Sequence, residues 1–163
     1  MDLRTELHFD ADPATVFAML TDEDYIGRKA RAANAIRHEV SVTRNGDQVT
    51  IRLLRVMPPD VPDFVRRFVG DTIDLHQTDV WGPAAPDGSR NGTIAIDMAG
   101  APVTLRGTLR LEPDGRGSVT TVEGKIKASV PFVGGKIEQA VHGGLVEAAK
   151  REEQVGQTWL SAR

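Results

Sequence analysis

Seven segments of this chain alternate apolar and polar residues, whereas a single long segment, the last, carries an apolar stripe at helical spacing. Period two marks strands with one dry and one wet face. A dry sheet face must be covered by another element. The only long cover the sequence offers is its C-terminal helix, and this imbalance limits the fold more than any single motif does.

In the first segment Leu3, Thr5, Leu7 and Phe9 share one face, and Arg4, Glu6 and His8 the other. Asp12 and Pro13 then supply an N-cap acceptor and a first-turn proline. They predict a helix over 13–20 with Val16, Phe17 and Leu20 on its apolar side. Thr21-Asp22 caps a second short helix through Tyr25, Ile26 and Lys29, ending near Asn34. Strands follow. Ile36, His38, Val40 and Val42 share a face; after the Asn45-Gly46-Asp47 turn, so do Val49, Ile51, Leu53 and Arg55. Pro58, Pro59 and Pro62 end that strand, because proline cannot donate to a ladder. A short helix over 63–69 carries Phe64, Val65 and Phe68. Later faces are Ile73, Leu75, Gln77, Asp79 and Trp81; Ile94, Ile96 and Met98; Val103, Leu105 and Leu109; and Val122 through Val130. The stretch 82–92 reads as a long hairpin loop. Ser129 and Pro131 introduce the final helix, over 133–161, whose stripe is Ile137, Val141, Leu145, Ala148, Glu152, Val155 and Trp159. Lys136, Lys150, Arg151 and Gln157 lie off it and are expected in solvent.

Consecutive strands on short turns must be antiparallel neighbours. The expected fold is α+β: a seven-stranded curved antiparallel sheet around a long C-terminal helix, with two short helices after the first strand, in one domain spanning 1–163. A sheet this wide twists and curls. Curled around one helix it forms a cup, a natural place for a ligand cavity.

This order resembles the helix-grip fold of the START-like, or Bet v 1-like (SRPBCC), superfamily over nearly the whole chain. Two stretches, Asp12-Pro13-Ala14-Thr15-Val16-Phe17-Ala18-Met19-Leu20-Thr21-Asp22 and Val130-Pro131-Phe132-Val133-Gly134-Gly135-Lys136-Ile137-Glu138, resemble the actinobacterial DUF2505 family. The resemblance implies the fold. Superfamily relatives bind lipids, sterols, polyketides or plant hormones, and some are cyclases or other enzymes; fold alone does not choose among these.

Composition narrows the classes. The 163 residues include no cysteine, which excludes disulfides, thiolate metal sites and a cysteine nucleophile. A net charge of −3 gives no basic surface for nucleic acid. No apolar run is long enough to span a membrane, and residues 1–10 are too polar for a signal peptide, so a cytoplasmic protein without membrane insertion is expected. No nucleophile elbow, phosphate loop or metal-ligand motif occurs, and His8, His38, His76 and His142 are scattered, so neither metal nor cofactor is expected. The pattern sets no oligomeric state.

Candidate site residues are those whose phase points them into the cup. His38, beside Val40, is a candidate proton donor or acceptor near neutral pH; the competing reading is a strand-end histidine bonded to backbone or solvent. Gln77 and Asp79 interrupt the apolar face of Leu75 and Trp81. Two buried polar groups there imply a wet pocket or its rim, or else a bulge that turns them outward. Arg55, in phase with Leu53, faces the cavity or snorkels out of it. Glu152 faces the cavity, pairs with Arg55 or Arg106, or sits at the stripe's margin. Ile96, Met98, Leu109, Val141 and Leu145 are the expected apolar lining. Phe64 and Phe68 form a lid or simply cap the core. The other aromatic residues, Phe132 included, are assigned to the core. Gly143-Gly144 implies close approach of a strand or ligand, a kink, or tight packing.

Three functions fit. The first is a carrier or sensor for one small hydrophobic molecule, lipid-, sterol- or polyketide-like, reaching the cup past residues 63–69 and 82–92. The second is a cyclase or dehydratase in which His38 moves protons with Asp79 or Glu152. The third is an accessory domain with a filled cup that acts through a protein partner.

Overall fold

Each alternating segment becomes a strand. The computed structural model describes residues 1–163. In chain order the elements are β1 (Asp2–Phe9), α1 (Pro13–Leu20), α2 (Glu23–Ala32), β2 (Arg37–Asn45), β3 (Gln48–Met57), α3 (Asp63–Arg66), β4 (Ile73–Trp81), β5 (Arg90–Met98), β6 (Val103–Asp114), β7 (Gly117–Ala128) and α4 (Gly134–Ser161). All strand pairings are antiparallel, in the order β1-β7-β6-β5-β4-β3-β2. The fold is therefore the expected α+β helix-grip arrangement. β1 and β2 form opposite edges, and α1 and α2 carry the chain from one edge to the other.

Local chemistry sets the helix starts. The Asp12 carboxylate accepts the Thr15 N–H at 2.8 Å, with Pro13 in the first turn; Asp22 accepts from Asp24 and Tyr25. α2 ends at Ala32, and Asn34 follows with φ 68°. α4 begins at Gly134 without a side-chain cap. Its anchors lie further along. Glu138 accepts the backbone N–H of Ala128 at 3.1 Å. Glu153 accepts the His8 N–H at 2.8 Å, and the Gln157 amide donates to the His8 carbonyl at 2.9 Å while accepting from Asp10. Gln157, expected in solvent, thus satisfies backbone groups along the free edge of β1, which would otherwise be open to further pairing.

α4 packs chiefly on β1, β7 and α2. Its buried residues lie near its ends: Ile137 near the start, Gly156 and Trp159 near the finish. Val141, Leu145 and Ala148, in the middle of the same stripe, are only half-buried. Tyr25 meets Trp159 edge-on at 5.8 Å, tying the far end of α4 to α2. The helix is therefore held at both ends and stands away from the sheet between them. The main apolar cluster surrounds Phe9, Val16, Tyr25, Leu111 and Trp159; a smaller one joins Val65, Ile73, Met98, Val103, Ala128 and Ile137.

Three readings of the sequence change. Phe132, expected in the core, is fully exposed with φ 68° in the turn before α4. Ile36, expected to share the inward face with Val40, precedes β2 and is exposed. Gly143-Gly144 meets no strand and no tight packing, since a Cβ at either position would find open space; of its alternatives, a ligand or a kink remains. The close approach is at Gly156, where a Cβ would fall 2.3 Å from Phe9 Cε1 and 3.2 Å from Met19 Cε. Gly156→Ala is expected to destabilise the fold by about 1–3 kcal/mol through overpacking. Gly143→Ala, exposed mid-helix, is expected to stabilise it by about 0.5–1 kcal/mol. Urea denaturation of the two variants checks both signs; a stabilising Gly156→Ala contradicts the described packing of α4 on β1.

Candidate ligand-binding site

Where α4 stands off the sheet, two adjoining hollows open. The larger, about 380 Å³, is lined by Met57, Val65, Ile73, Leu75, Met98, Val103 and Val141, among others. The smaller, about 110 Å³, lies deeper, against Leu7, Ile51, Trp81, Ile94 and Leu109. Arg55, Ile96, Leu105, Leu145 and Ala148 border both and so form the neck between them. Phe17 meets Trp81 edge-on at 5.8 Å, and the Arg90 guanidinium lies 3.7 Å from the Phe17 ring centre; together they back the inner end.

Strand pairing fixes where the larger hollow faces. The start of β4 lies beside the ends of β3 and β5, and the end of β5 beside the start of β6. Ile73, Met57, Met98 and Val103 therefore gather at one end of the sheet. The exposed Met1, Ile36 and Phe132 flank that same end, as the partners of Met1 and Ile36 (Ile126 and Val56) and the position of Phe132 after β7 require. Residues 82–89 leave the opposite end of β4, where Gly88 packs on Pro13. Of the two segments expected beside ligand entry, the one around α3 lines the larger hollow through Val65, and residues 82–89 line neither hollow. Antiparallel pairing places the two connections of one strand at opposite ends.

The smaller hollow has a charged wall. Arg55 Nη2 donates to Gln77 Oε1 at 2.9 Å, and Gln77 Nε2 donates to both Asp79 carboxylate oxygens at 3.1 Å. Opposite, Lys29 of α2 pairs with Glu152 of α4 at 3.1 Å, and the Tyr25 hydroxyl donates to the Glu152 carbonyl at 3.4 Å. The Arg55 Nε is buried without a partner. β4 carries no bulge here: Ile51 faces Asp79, Leu53 faces Gln77, and Asp79 faces Ile94 in unbroken register. Gln77 and Asp79 thus point inward for the same reason Leu75 and Trp81 do.

The expected lining is only partly brought together. Arg55, Leu75, Gln77, Asp79, Trp81, Ile96, Met98, Leu109, Val141, Leu145 and Glu152 border the hollows. Leu53 is buried in the main core, and Val40 packs against it. Phe64 and Phe68 pack on the smaller apolar cluster, and Val65 is the α3 residue that reaches the hollow. His38 borders neither hollow. Its Nε2 lies where a Cβ on Gly27 would come within 2.9 Å, so α2 covers it. No carboxylate pairs with it. Arg106 faces outward and pairs with Asp97 at 2.7 Å, so the cation at Glu152 is Lys29. Sequence reasoning passed over Lys29. Its signal was a lysine one turn after Tyr25, on the buried side of α2.

Residues 4–160 match the family described as protein of unknown function (DUF2505). The chain belongs to that family. Proteins described as uncharacterised from Mycobacterium tuberculosis and Mycobacterium bovis are 28% identical to this DUF2505 chain over 122 residues, 72% of the chain and 70% of theirs. Three solved structures share its fold. A Thermus thermophilus protein (TM-score 0.64, 16% identity) covers 99% of both chains. A STAR-related lipid transfer protein from Xanthomonas axonopodis (0.62, 15%) covers 97% of this chain and is itself covered to 84%. The Zhui aromatase/cyclase of a Streptomyces species (0.63, 11%) covers all of this chain, with 94% of its own length. No helix of the DUF2505 chain is long and apolar enough to cross a membrane.

The charged wall is costly to the fold. Burial pushes the Asp79 carboxyl up to about 6, against the pull of Lys29, the Gln77 hydrogen bond and Arg55, and with Glu152 pushing the same way. Burial likewise lowers the Arg55 guanidinium's pKa, with Glu152 and Asp79 opposing. For an acid whose folded pKa lies above its unfolded one, the native state binds more protons between the two values. Stability is then greatest below the unfolded pKa, falls as pH rises through the window, and stays reduced above about 6. Asp79→Asn is therefore expected to gain roughly 1–3 kcal/mol at about pH 8 and almost nothing at about pH 4. Denaturant titrations of both proteins at the two pH values check this. A loss of stability at the higher pH would show that Asp79 is held by its partners more than it is penalised by burial.

Proposed function

We propose that this protein binds a small hydrophobic molecule, lipid-, sterol- or polyketide-like, between sheet and α4, as a carrier or sensor. The observation that carries the proposal is the half-buried middle of α4 over a hollow of about 380 Å³ lined mostly by apolar side chains. That volume lies within the range of about 300–1,000 Å³ usual for small-molecule sites. A cup filled by its own side chains would have brought Val141, Leu145 and Ala148 to full burial.

Three further features support the reading. Apolar lining provides affinity at about 25 cal/mol per Å² buried, without directional demands. The hollow lies at the end of the sheet where Ile36 and Phe132 are exposed, so an apolar molecule meets apolar surface on approach. Proteins of the same fold include one named for lipid transfer and one for aromatase/cyclase activity. The proton-transfer alternative at His38 gains nothing comparable, because that ring stands outside both hollows beneath α2.

The test fills the neck. Ala148 borders both hollows from a half-buried position on α4. Ala148→Phe is expected to weaken binding of an environment-sensitive apolar dye at least tenfold while changing stability by about 1 kcal/mol or less, because the added ring occupies existing space. Fluorescence titration and urea denaturation measure the two effects. A dye that binds the variant unchanged is bound elsewhere, and a protein that takes up no apolar probe is no carrier.

A further inference from the structure

Phe132 is the most exposed large apolar side chain of the molecule, and a φ of 68° is uncommon and costly for so bulky a residue. The chain leaves β7 and folds straight back at this point. The Gly134 N–H donates to the Val130 carbonyl at 3.1 Å, and a Cβ on Gly134 would lie 2.6 Å from the Ala128 carbonyl oxygen. Phe132 therefore stands at the tip of a tight turn. The Ser129 N–H donates to the Pro102 carbonyl at 2.9 Å, which sets the β5–β6 turn beside it. Residues 98–105 carry no charge, and Ala99, Gly100 and Pro102 are exposed.

The charge around this tip has one sign. Three of the five lysines, Lys125, Lys127 and Lys136, fall between Glu123 and Glu138, and no acid does. Lys125 pairs with Asp2 at 3.7 Å, whereas Lys127 and Lys136 are exposed and in no ion pair. Glu138, which closes the run, already holds the Ala128 N–H and the amino terminus. α4 starts here without a side-chain cap, so the positive end of its dipole adds to the two lysines. The α3 segment carries Asp60, Asp63 and Asp71 beside Arg66 and Arg67, so the cationic part of this end is the β7–α4 turn alone.

One protruding ring between two unpaired lysines is small for a stable protein interface, which takes about 800 Å² and roughly 20–30 residues a side. It suits a lipid surface, where the ring enters the headgroup layer and the ammonium groups meet the phosphates. We infer that the β7–α4 turn, with Phe132 at its tip and Lys127 and Lys136 at its base, docks this protein on the surface of an anionic lipid bilayer. The contact is peripheral, since no helix is long and apolar enough to cross a membrane. It brings to the bilayer the end of the sheet where Ile73, Met98 and Val103 of the larger hollow gather. The inference goes beyond the hydrophobic-ligand reading: it concerns the turn, and that reading concerns the space beneath α4.

Co-sedimentation with two kinds of vesicle tests this: phosphatidylcholine alone, and phosphatidylcholine with phosphatidylglycerol in a two-to-one ratio. The native protein is expected to bind the mixed vesicles, and to bind phosphatidylcholine at least about tenfold more weakly. Phe132→Ser should weaken binding to the mixed vesicles about tenfold or more. Lys127→Gln and Lys136→Gln should each weaken it about fivefold. Arg116→Gln removes an exposed cation in the turn at the opposite end of β7 and should change nothing. All four side chains are exposed, so these variants are expected to fold as the native protein does. Phe132→Trp should shift its fluorescence to shorter wavelength on the mixed vesicles, because Trp81 and Trp159 are buried already. Failure of the native protein to bind the mixed vesicles overturns the proposal, as does unchanged binding by Phe132→Ser or an equal loss in Arg116→Gln. Equal binding to both kinds of vesicle overturns the anionic assignment. A native protein that leaves the vesicles alone but forms dimers that Phe132→Ser dissolves uses the ring against a second copy, which also overturns it. Phe132→Ser is expected to take up an apolar dye as the native protein does, so the carrier reading stands or falls on the dye and the docking surface on the vesicles.

Discussion

A seven-stranded sheet is wider than one helix can cover. At about 4.8 Å between strands, its face spans about 29 Å, whereas a helix with its side chains is about 10 Å across. α4 lies along β1 and β7 and leans on α2, α2 covers β2, and α1 sits over β6 and β7. What remains incompletely covered is the middle of the inward face, chiefly β3 to β6 with parts of β1 and β7 beneath the middle of α4. The hollows occupy that remainder. Their position follows from the element count as much as from any individual lining residue.

The charged wall depends on the same geometry. Gln77 and Asp79 sit in register with Leu53 and Ile51, on the face that would be core in a fully covered sheet. Four charges facing a small cavity are tolerated because they alternate in sign and bond in pairs: Arg55 through Gln77 to Asp79, and Lys29 to Glu152. Such groups contribute little or negatively to stability compared with apolar residues of similar size. Under the proposed binding reading, these groups trade stability for recognition. The Lys29–Glu152 pair also joins α2 to α4 at the border of the inner hollow.

Much of this was legible in the sequence because strand alternation determines two things at once: where a strand runs and which residues face inward. The phase of Arg55, Gln77 and Asp79 and the turn signals between strands carried directly into the structure. What escaped depended on contacts between segments distant in the chain. Gly156 looks ordinary until Phe9 is seen against it, whereas the more conspicuous Gly143-Gly144 meets no neighbouring element, Gly144 bordering the larger hollow. Gln157 lies off the apolar stripe, but its amide bonds to a strand edge 149 residues away. His38 has the phase of a cavity residue and is nonetheless outside, since alternation specifies a face and not what covers it. Phe132 is apolar and sits beside a helix start, yet the turn with φ 68° carries it into solvent.

The most direct measurement is a methyl NMR titration of the protein with octane, a probe that can report only on apolar space. An open hollow beneath the middle of α4 predicts saturable shifts at Leu145, Ile96, Leu105 and Met98, with the fully buried Leu111, Ile126 and Val16 unmoved. If the first four methyl-bearing residues stay silent at saturating octane, α4 packs flush on the sheet and no such space exists.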